Sequence, residues 1–294
     1  MGNHSDSLHL HKSIIRTPEN RPALENMNDS SHIHSIIHRF PAISLNDMDR
    51  VRLMDRTDIK YLLHISRLPG ILQAAEKLYQ ILEIGNDRIF EYHSLYFDTP
   101  DFRMYHNHHR GKTKRYKVRF RKYLQTNRVF LEVKSRKNNR RTRKKRIPVA
   151  DVEHRLTPWA MDFIREYIPL TDSTLEPKLW TRFSRFTLVH LTAPERITID
   201  LDLRVNHEDD RFGFPGLVIA EVKQEGNTPA SDFRRILASE HIRPMGLSKY
   251  CLGCVLLYPR VKSNRYKQKL RIISKLGRHE QPHYAAANPA IVRN

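Results

Sequence analysis

Cysteine, long apolar runs and glycine-rich loops are scarce or missing in this 294-residue chain. Its two cysteines, Cys251 and Cys254, have no second pair of metal ligands, so neither a zinc site nor a redox role is expected. No apolar run approaches the ~20 residues that a membrane-spanning helix needs. The glycine-rich loop and lysine of Walker-type NTPases are also absent, which disfavours that class of nucleotide-binding protein.

Acidic residues are outnumbered, because 32 Asp and Glu stand against 52 Lys and Arg and the formal net charge is +20. Such an excess predicts an anionic partner such as phosphates, nucleic acid or an acidic membrane. The N-terminus lacks the apolar core of a signal peptide, and the low cysteine content suits a reducing compartment. We therefore expect a cytoplasmic protein.

The composition divides the chain into three parts. Residues 1–40 are polar and rich in His, Ser and Asn, which predicts a disordered arm. Residues 41–258 alternate between strand-like and helical patterns and form the expected folded domain. Residues 259–294 form a basic C-terminal tail.

Within the tail, residues 260–278 carry eight Lys or Arg and no acid. A helix there would align Leu270, Ile273 and Leu276 in one apolar strip among cations. Such a segment could lie on an anionic membrane surface, or it could be a solvated tail that guides a polyanion. Peripheral association with the inner face of the membrane is therefore a second expectation for localisation.

The stretch RYKVRFRK at 115–122 shows the dominant pattern of the folded part. Side chains alternate between faces in an extended chain, so four cations share one face of this strand: Arg115, Lys117, Arg119 and Arg121. The opposite face carries apolar side chains suited to a core. The surrounding block 103–146 holds 19 Lys or Arg and a single acid, Glu132.

At least five predicted strands repeat this design, with one apolar face and one face of cations and occasional carboxylates. A solvated sheet face would carry both signs of charge more evenly. If the sheet closed with these faces inward, its interior would be cationic and suited to phosphate oxygens, and its carboxylates could hold a divalent cation.

Nucleic-acid binding is the main alternative for so basic a chain. That function favours exposed aromatic stacking platforms, whereas Tyr116, Phe120 and Phe130 fall mostly at core-facing positions. The carboxylates on the charged faces would also repel a nucleic-acid backbone. The pattern favours a short phosphate chain held internally, and no specific nucleic acid is expected.

Seven short motifs then occur in order along the chain: R-T-D-I-K-Y at 56–61, S-L-Y-F-D-T at 94–99, V-R-F-R at 118–121, L-E-V-K at 131–134, R-I-T-I-D at 196–200, A-E-V-K at 220–223 and S-K-Y at 248–250. Together they resemble the catalytic domain of the vacuolar transporter chaperone (VTC) polyphosphate polymerase, a member of the triphosphate tunnel metalloenzymes. The resemblance covers roughly residues 40–258.

The resemblance implies an α+β fold, in which a closed antiparallel eight-stranded β-tunnel has flanking helices. It implies a transferase that moves the γ-phosphate of ATP onto a growing polyphosphate with the help of Mn²⁺ or Mg²⁺. The matching positions imply catalytic roles for seven basic residues: Lys60, Arg119, Arg121, Lys134, Arg185, Arg196 and Lys249. Four of them would bind the nucleotide phosphates: Arg119, Arg121, Arg185 and Arg196. Glu221 matches the family's metal-binding glutamate.

Two positions depart from the family. A second lysine expected three residues before Lys249 is replaced by Gly246, and the first-strand acids of the wider superfamily read Arg56, Asp58 and Lys60. The second departure argues against the small triphosphatase branch, in which those acids help to bind metals. The sequence leaves open a metal-dependent triphosphate or polyphosphate hydrolase, and a non-catalytic binder of polyphosphate or nucleic acid. The expected partners are ATP and polyphosphate, together with a separate membrane protein as the channel.

Overall fold

The computed structural model describes residues 15–16, 27–50, 56–136, 142–170, 174–225 and 231–276. Within these ranges the strands are β1 (Ile15–Arg16), β2 (Ala42–Ile43), β3 (Arg56–His64), β4 (Tyr79–Leu82), β5 (Phe90–Asp98), β6 (Arg115–Tyr123), β7 (Arg128–Arg136), β8 (Thr142–Val149), β9 (Glu176–His190), β10 (Glu195–His207), β11 (Asp210–Gly213) and β12 (Leu217–Glu225). The helices are α1 (Met27–Ile37), α2 (Leu45–Arg50), α3 (Leu68–Ala75), α4 (Arg103–His109), α5 (Pro158–Arg165), α6 (Asp232–Ser239), α7 (Lys249–Leu257) and α8 (Lys267–Leu276).

Eight of the strands pair in one antiparallel path, in the order β8, β7, β6, β5, β9, β10, β12, β3. This path and its flanking helices confirm the α+β prediction, with a mostly antiparallel sheet. The described sheet has twelve strands, because β1, β2, β4 and β11 also pair in it. The ladders between described residues do not include one that joins β3 to β8. Closure of the path into a tunnel therefore stays a prediction.

The sheet curves around the face that carries the charged residues, here called the inner face. β3 and β6 are separated by four strands, which would place them about 24 Å apart in a flat sheet. The backbone N–H of Met245 nevertheless donates to the carbonyl of Lys60 on β3 at 2.7 Å, and Lys117 Nζ on β6 donates to Ser248 Oγ at 2.9 Å. Residues 245–248 therefore contact both strands, which lie closer together than in a flat sheet.

Apolar residues of the outer face explain why the charged residues turn inward. Phe186, Ile199 and Val222 pack in a buried cluster with α1, α3 and α6. Val118 and Leu131 pack in a second cluster with α5. Because side chains alternate along each strand, burying these residues commits their neighbours to the inner face.

A bulge in β10 changes which residues reach the inner face. The register between β10 and β9 shifts between Leu201 and Arg204, and Asp202 has a φ of 51° in the left-handed region. Strict alternation would place Asp202 and Arg204 beside Asp200, but both side chains are exposed. These three residues therefore do not share a face, since the extra residue reverses the alternation that the sequence alone would predict.

The inner face is apolar at the end beyond the bulge, where α7 covers it. Leu203, Val205 and Leu179 lie in one buried cluster with the residues of α7. A Cβ at Gly253 in α7 would lie 2.9 Å from a methyl group of Leu179, so a larger residue there would require the Leu179 side chain to shift. Ser248 caps α7 by accepting a hydrogen bond from the backbone N–H of Cys251.

Both predicted terminal segments contain residues that belong to the fold. Ile33, Ile36 and Ile37 of α1 are buried in the same cluster as Phe186, Ile199 and Val222. The prediction of a disordered arm is therefore wrong for residues 27–37. Most of the rest of that arm lies outside the described residues. In α8, Leu270 and Ile273 are buried in the same cluster as α7. The apolar strip predicted for the tail therefore faces the domain, and Lys267, Arg271 and Lys275 of the same helix face solvent.

Truncation of a buried side chain in α8 tests this packing. Leu270→Ala should lower the free energy of unfolding by about 2–4 kcal/mol, because Leu270 is 7 % exposed and its removal leaves a cavity. Ile272→Ala, on a partly exposed position of the same helix, should cost much less. Urea denaturation of both variants measures the difference. Equal stabilities would contradict the docking of α8.

In the part of the chain that the structure describes, no helix combines the length and apolar character needed to cross a membrane.

Candidate functional site

The inner face collects basic side chains from seven strands and from the start of α7. Ten such residues lie there: Lys60, Lys117, Arg119, Arg121, Lys134, Lys144, Arg185, Arg196, Lys223 and Lys249. Three acids accompany them as ion-pair partners, namely Glu132, Asp200 and Glu221. Cations therefore exceed carboxylates in a partly buried space, where charge is poorly screened.

Each of the three carboxylates lies between two cations. Glu132 has no exposed side-chain surface and accepts hydrogen bonds from Arg119 Nε at 2.8 Å and Nη2 at 2.6 Å. Its other oxygen pairs with Lys144 of β8. Burial alone would raise the pKa of Glu132, but these neighbouring cations hold it well below its usual value.

Asp200 is held in the same way by two different elements. Arg185 of β9 donates to both of its oxygens, with Nη2 2.9 Å from Oδ2, and Lys249 of α7 also pairs with Oδ2. Burial opposes ionisation of Asp200, yet the two cations lower its pKa. This carboxylate therefore ties the first residue of α7 to the sheet.

Glu221 completes the set. Its Oε1 pairs with Lys60 of β3, and its Oε2 lies 3.2 Å from Nζ of Lys223. Lys223 also donates to the hydroxyl of Thr198 at 2.9 Å. Despite burial, the lysines hold the pKa of Glu221 well below the usual range.

Arg121 and Lys134 differ from these cations, since neither forms an ion pair with any carboxylate of the described chain. Arg121 Nε donates to Ser94 Oγ at 3.1 Å. Lys134 stands opposite Lys117 on β6 and Lys144 on β8, so three lysines form a row across the inner face. Burial, and then the charge of Arg119 and its neighbours, lowers the pKa of Lys134 well below its usual value.

Most of the predicted site residues lie together in this arrangement. Seven of them meet on the charged part of the inner face: Lys60, Arg119, Arg121, Lys134, Arg185, Glu221 and Lys249. Arg196 lies on the same face of β10, but its Nη2 donates to the backbone carbonyl of Met48 in α2 at 2.8 Å. Their catalytic roles remain predictions.

Three aromatic residues of the inner face escaped the sequence analysis. Tyr92 and Phe183 are cross-strand partners on β5 and β9, and Tyr96 lies on β5 beside Arg119. The hydroxyl of Tyr96 accepts a hydrogen bond from Arg119 Nη1 at 2.7 Å. The available signal was alternation in EYHSLYFD, which places Tyr92 and Tyr96 on the face opposite Leu95 and Phe97.

The cysteines and histidines do not form a second site. Cys251 and Cys254 are free and fully buried in α7, and burial raises the pKa of the Cys254 thiol. Within the described ranges, no group of three or more His, Cys, Asp or Glu side chains could hold a metal ion.

The described residues alone therefore do not provide a complete set of ligands for a divalent cation. Glu221 supplies one carboxylate, and its two oxygens already pair with lysines. Mg²⁺ and similar ions are commonly held by one or two carboxylates together with substrate phosphates. The residues fit an ion that arrives on a triphosphate, and they do not form a resident metal site.

A family model and several solved structures are similar to parts of this chain. A family model described as the VTC domain matches residues 55–258. Among solved structures, a candidate adenylate cyclase from Vibrio parahaemolyticus is 14% identical, with a TM-score of 0.41, covering 68% of this chain and 99% of that one. A candidate adenylyl cyclase from Hippeastrum, described as having a dominant triphosphatase activity, is 14% identical with a TM-score of 0.43, covering 69% and 96%. The search of curated proteins found no match.

Proposed function

Because the chain belongs to the VTC domain family, we propose that it transfers the γ-phosphate of ATP onto the end of a polyphosphate chain on its inner face. The observation that carries this proposal is the excess of basic side chains there, above all Arg121 and Lys134, with which no described carboxylate forms an ion pair. Unpaired buried cations cost folding free energy, so a polyanion that enters this space gains a strong electrostatic interaction.

Phosphoryl transfer suits such a surface, since it depends mainly on positioning and on stabilising charge in the transition state. An oxygen of the terminal phosphate of the acceptor attacks the γ-phosphorus of ATP in line. The bond between the γ-phosphorus and the β–γ bridging oxygen breaks, and the electron pair leaves with ADP. The polymer is one phosphate longer, and the reaction requires no covalent intermediate with the protein.

The arginines, lysines and Glu221 of the inner face have different roles in this reaction, according to their geometry. Arg119 and Arg185 present guanidinium groups fixed by carboxylates, a geometry suited to bidentate contacts with phosphate oxygens. Lys60, Lys134 and Lys249 supply compact charges that offset the repulsion between donor and acceptor phosphates. A divalent cation on ATP, Mn²⁺ or Mg²⁺, would neutralise part of the triphosphate charge, and Glu221 would contact it.

Incubation with labelled ATP, Mn²⁺ and a short polyphosphate primer tests the proposal. Products longer than the primer, resolved on a gel, are the expected result. Release of free phosphate alone would replace the transferase with a hydrolase of the same site. Tight binding of tripolyphosphate with neither product would indicate a polyphosphate-binding protein without this activity.

Proton uptake gives a second test of the site. Burial outweighs the nearby carboxylates and lowers the pKa values of Lys144 and Lys223 to about 8, so each is partly neutral in the free protein near that pH. A bound phosphate favours the charged form, so binding should take up protons, and affinity should fall as pH rises from about 7 to 9.

Calorimetry of tripolyphosphate binding at about pH 8, in buffers of different ionisation heats, measures this uptake. Lys122→Met is the control, because Lys122 points outward from β6 and pairs with Asp151. The control should bind with unchanged uptake. Binding without uptake in the wild-type protein would contradict the assignment of these lysines to the phosphate site.

A further inference from the structure

Two stacked aromatic rings on the inner face contact three of its cations. Tyr92 and Phe183 are directly paired on β5 and β9, with ring centroids 5.3 Å apart and an interplanar angle of 3°. The guanidinium carbon of Arg121 lies 5.3 Å from the Tyr92 centroid, and that of Arg185 lies 5.2 Å from the Phe183 centroid. Lys249 Nζ lies 4.2 Å from the Phe183 centroid. These distances fall within the range of cation–π interactions.

The rings stabilise cations in a different way from the carboxylates. A carboxylate neutralises its partner and must be displaced, or outcompeted, before a phosphate can use the full charge. The face of an aromatic ring attracts a cation through its quadrupole and leaves the net charge unchanged. A cation held on a ring is therefore fixed in position and still attracts an anion.

We infer that Tyr92 and Phe183 are positioning residues, which hold Arg121, Arg185 and Lys249 toward the phosphate chain without neutralising them. This inference rests on the proposed function, and it deepens that function by assigning the residues that orient its phosphate ligands. Arg121 should depend most on the rings, because its other described contact is one hydrogen bond to Ser94. Arg185 and Lys249 keep Asp200 as a second support.

Graded fluorination of Phe183 tests the inference with little change in shape. Each added fluorine weakens the electrostatic attraction of the ring face, whereas packing against apolar neighbours is nearly unaffected. We expect the affinity for tripolyphosphate to fall in steps, by about two- to thirtyfold from phenylalanine to trifluorophenylalanine. If Phe183 has only a structural role, the affinity should not change across the series.

Phe186 is the matched control for this series. It lies three residues further along β9, on the outer face, fully buried in the cluster with α1, α3 and α6. The same fluorinated residues at Phe186 should leave the affinity unchanged. Equal changes at both positions, or no change at Phe183, would overturn the inference.

Conventional substitutions give a second line of test. Tyr92→Phe keeps the ring and should retain the affinity, whereas Tyr92→Leu removes the ring and should weaken binding. Phe183→Tyr should likewise retain the affinity for tripolyphosphate, whereas Phe183→Leu should lower it. If the leucine variants bind as tightly as the wild-type protein, the rings do not position the cations.

Side-chain NMR separates this inference from the proposed function. In the free protein, the Nε–H signals of Arg121 and Arg185 should show ordered side chains, and Tyr92→Leu should make Arg121 mobile. If the wild-type protein binds no tripolyphosphate but this ordering depends on the ring, the proposed function fails and the positioning stands. If Arg121 is equally ordered without the ring, the positioning fails whatever the protein binds.

Discussion

Replacing Glu221 by glutamine is expected to lower the rate of phosphate transfer by about 10²- to 10³-fold while the protein stays folded. Glutamine keeps the shape of the side chain but removes the charge that lies between Lys60 and Lys223. In the proposed function this charge contacts the divalent cation carried by ATP. The rate is measured over a titration of Mn²⁺ at saturating ATP, and thermal unfolding reports the fold.

Glu132→Gln is the matched control for this experiment. Glu132 is also buried and also lies between two cations, Arg119 and Lys144. Only the Glu221 variant should require a higher Mn²⁺ concentration for half-maximal rate. If both variants lose activity with the same Mn²⁺ dependence, Glu221 serves only to orient its lysines, and its assignment to the metal is rejected.

Substitutions of cations by methionine should move stability in opposite directions, according to the partner of each cation. Lys134→Met should raise the free energy of unfolding by about 1–2 kcal/mol, since Lys134 stands in a row with Lys117 and Lys144 and no described carboxylate pairs with it. The same variant should bind tripolyphosphate at least about tenfold more weakly, because one phosphate-facing charge is lost.

Arg119→Met should instead lower the free energy of unfolding by about 3 kcal/mol, because it leaves the buried Glu132 with Lys144 alone. Urea denaturation of the two variants, alongside calorimetry with tripolyphosphate, measures both effects. A Lys134 variant that is less stable and binds normally would show that Lys134 supports the fold and does not face the ligand.

Strand alternation made much of the site predictable from the sequence. The apolar positions in RYKVRFRK and LEVK are those buried against α5, and this packing commits Arg119, Arg121 and Lys134 to the inner face. The prediction needed only a two-residue period and an apolar core. It could not name partners, because the pairing of Glu132 with Lys144 depends on the register between β7 and β8.

Segments with mixed signals were harder to predict. The sequence from 66 to 82 indicates one amphipathic helix, yet α3 ends at Ala75 and Tyr79–Leu82 form β4, which pairs with β9. The apolar residues there fit the period of a helix as well as that of a strand, and pairing with β9 favours the strand. In α1, three buried isoleucines lie among polar and histidine residues and form a narrow apolar stripe. The overall polar composition of this segment therefore did not predict a helix.

The bulge at Asp202 ends the charged part of the inner face along β10. Before it, β10 presents Arg196, Thr198 and Asp200 to the interior, a charged stretch about 13 Å long at the usual rise of a strand. After it, the same face presents Leu203 and Val205, which α7 covers. Moving the extra residue two positions toward the C-terminus would lengthen the charged stretch by about 7 Å. In the proposed function, the length of β10 that contacts the phosphate chain therefore depends on one backbone irregularity, as well as on the side chains that bind the chain.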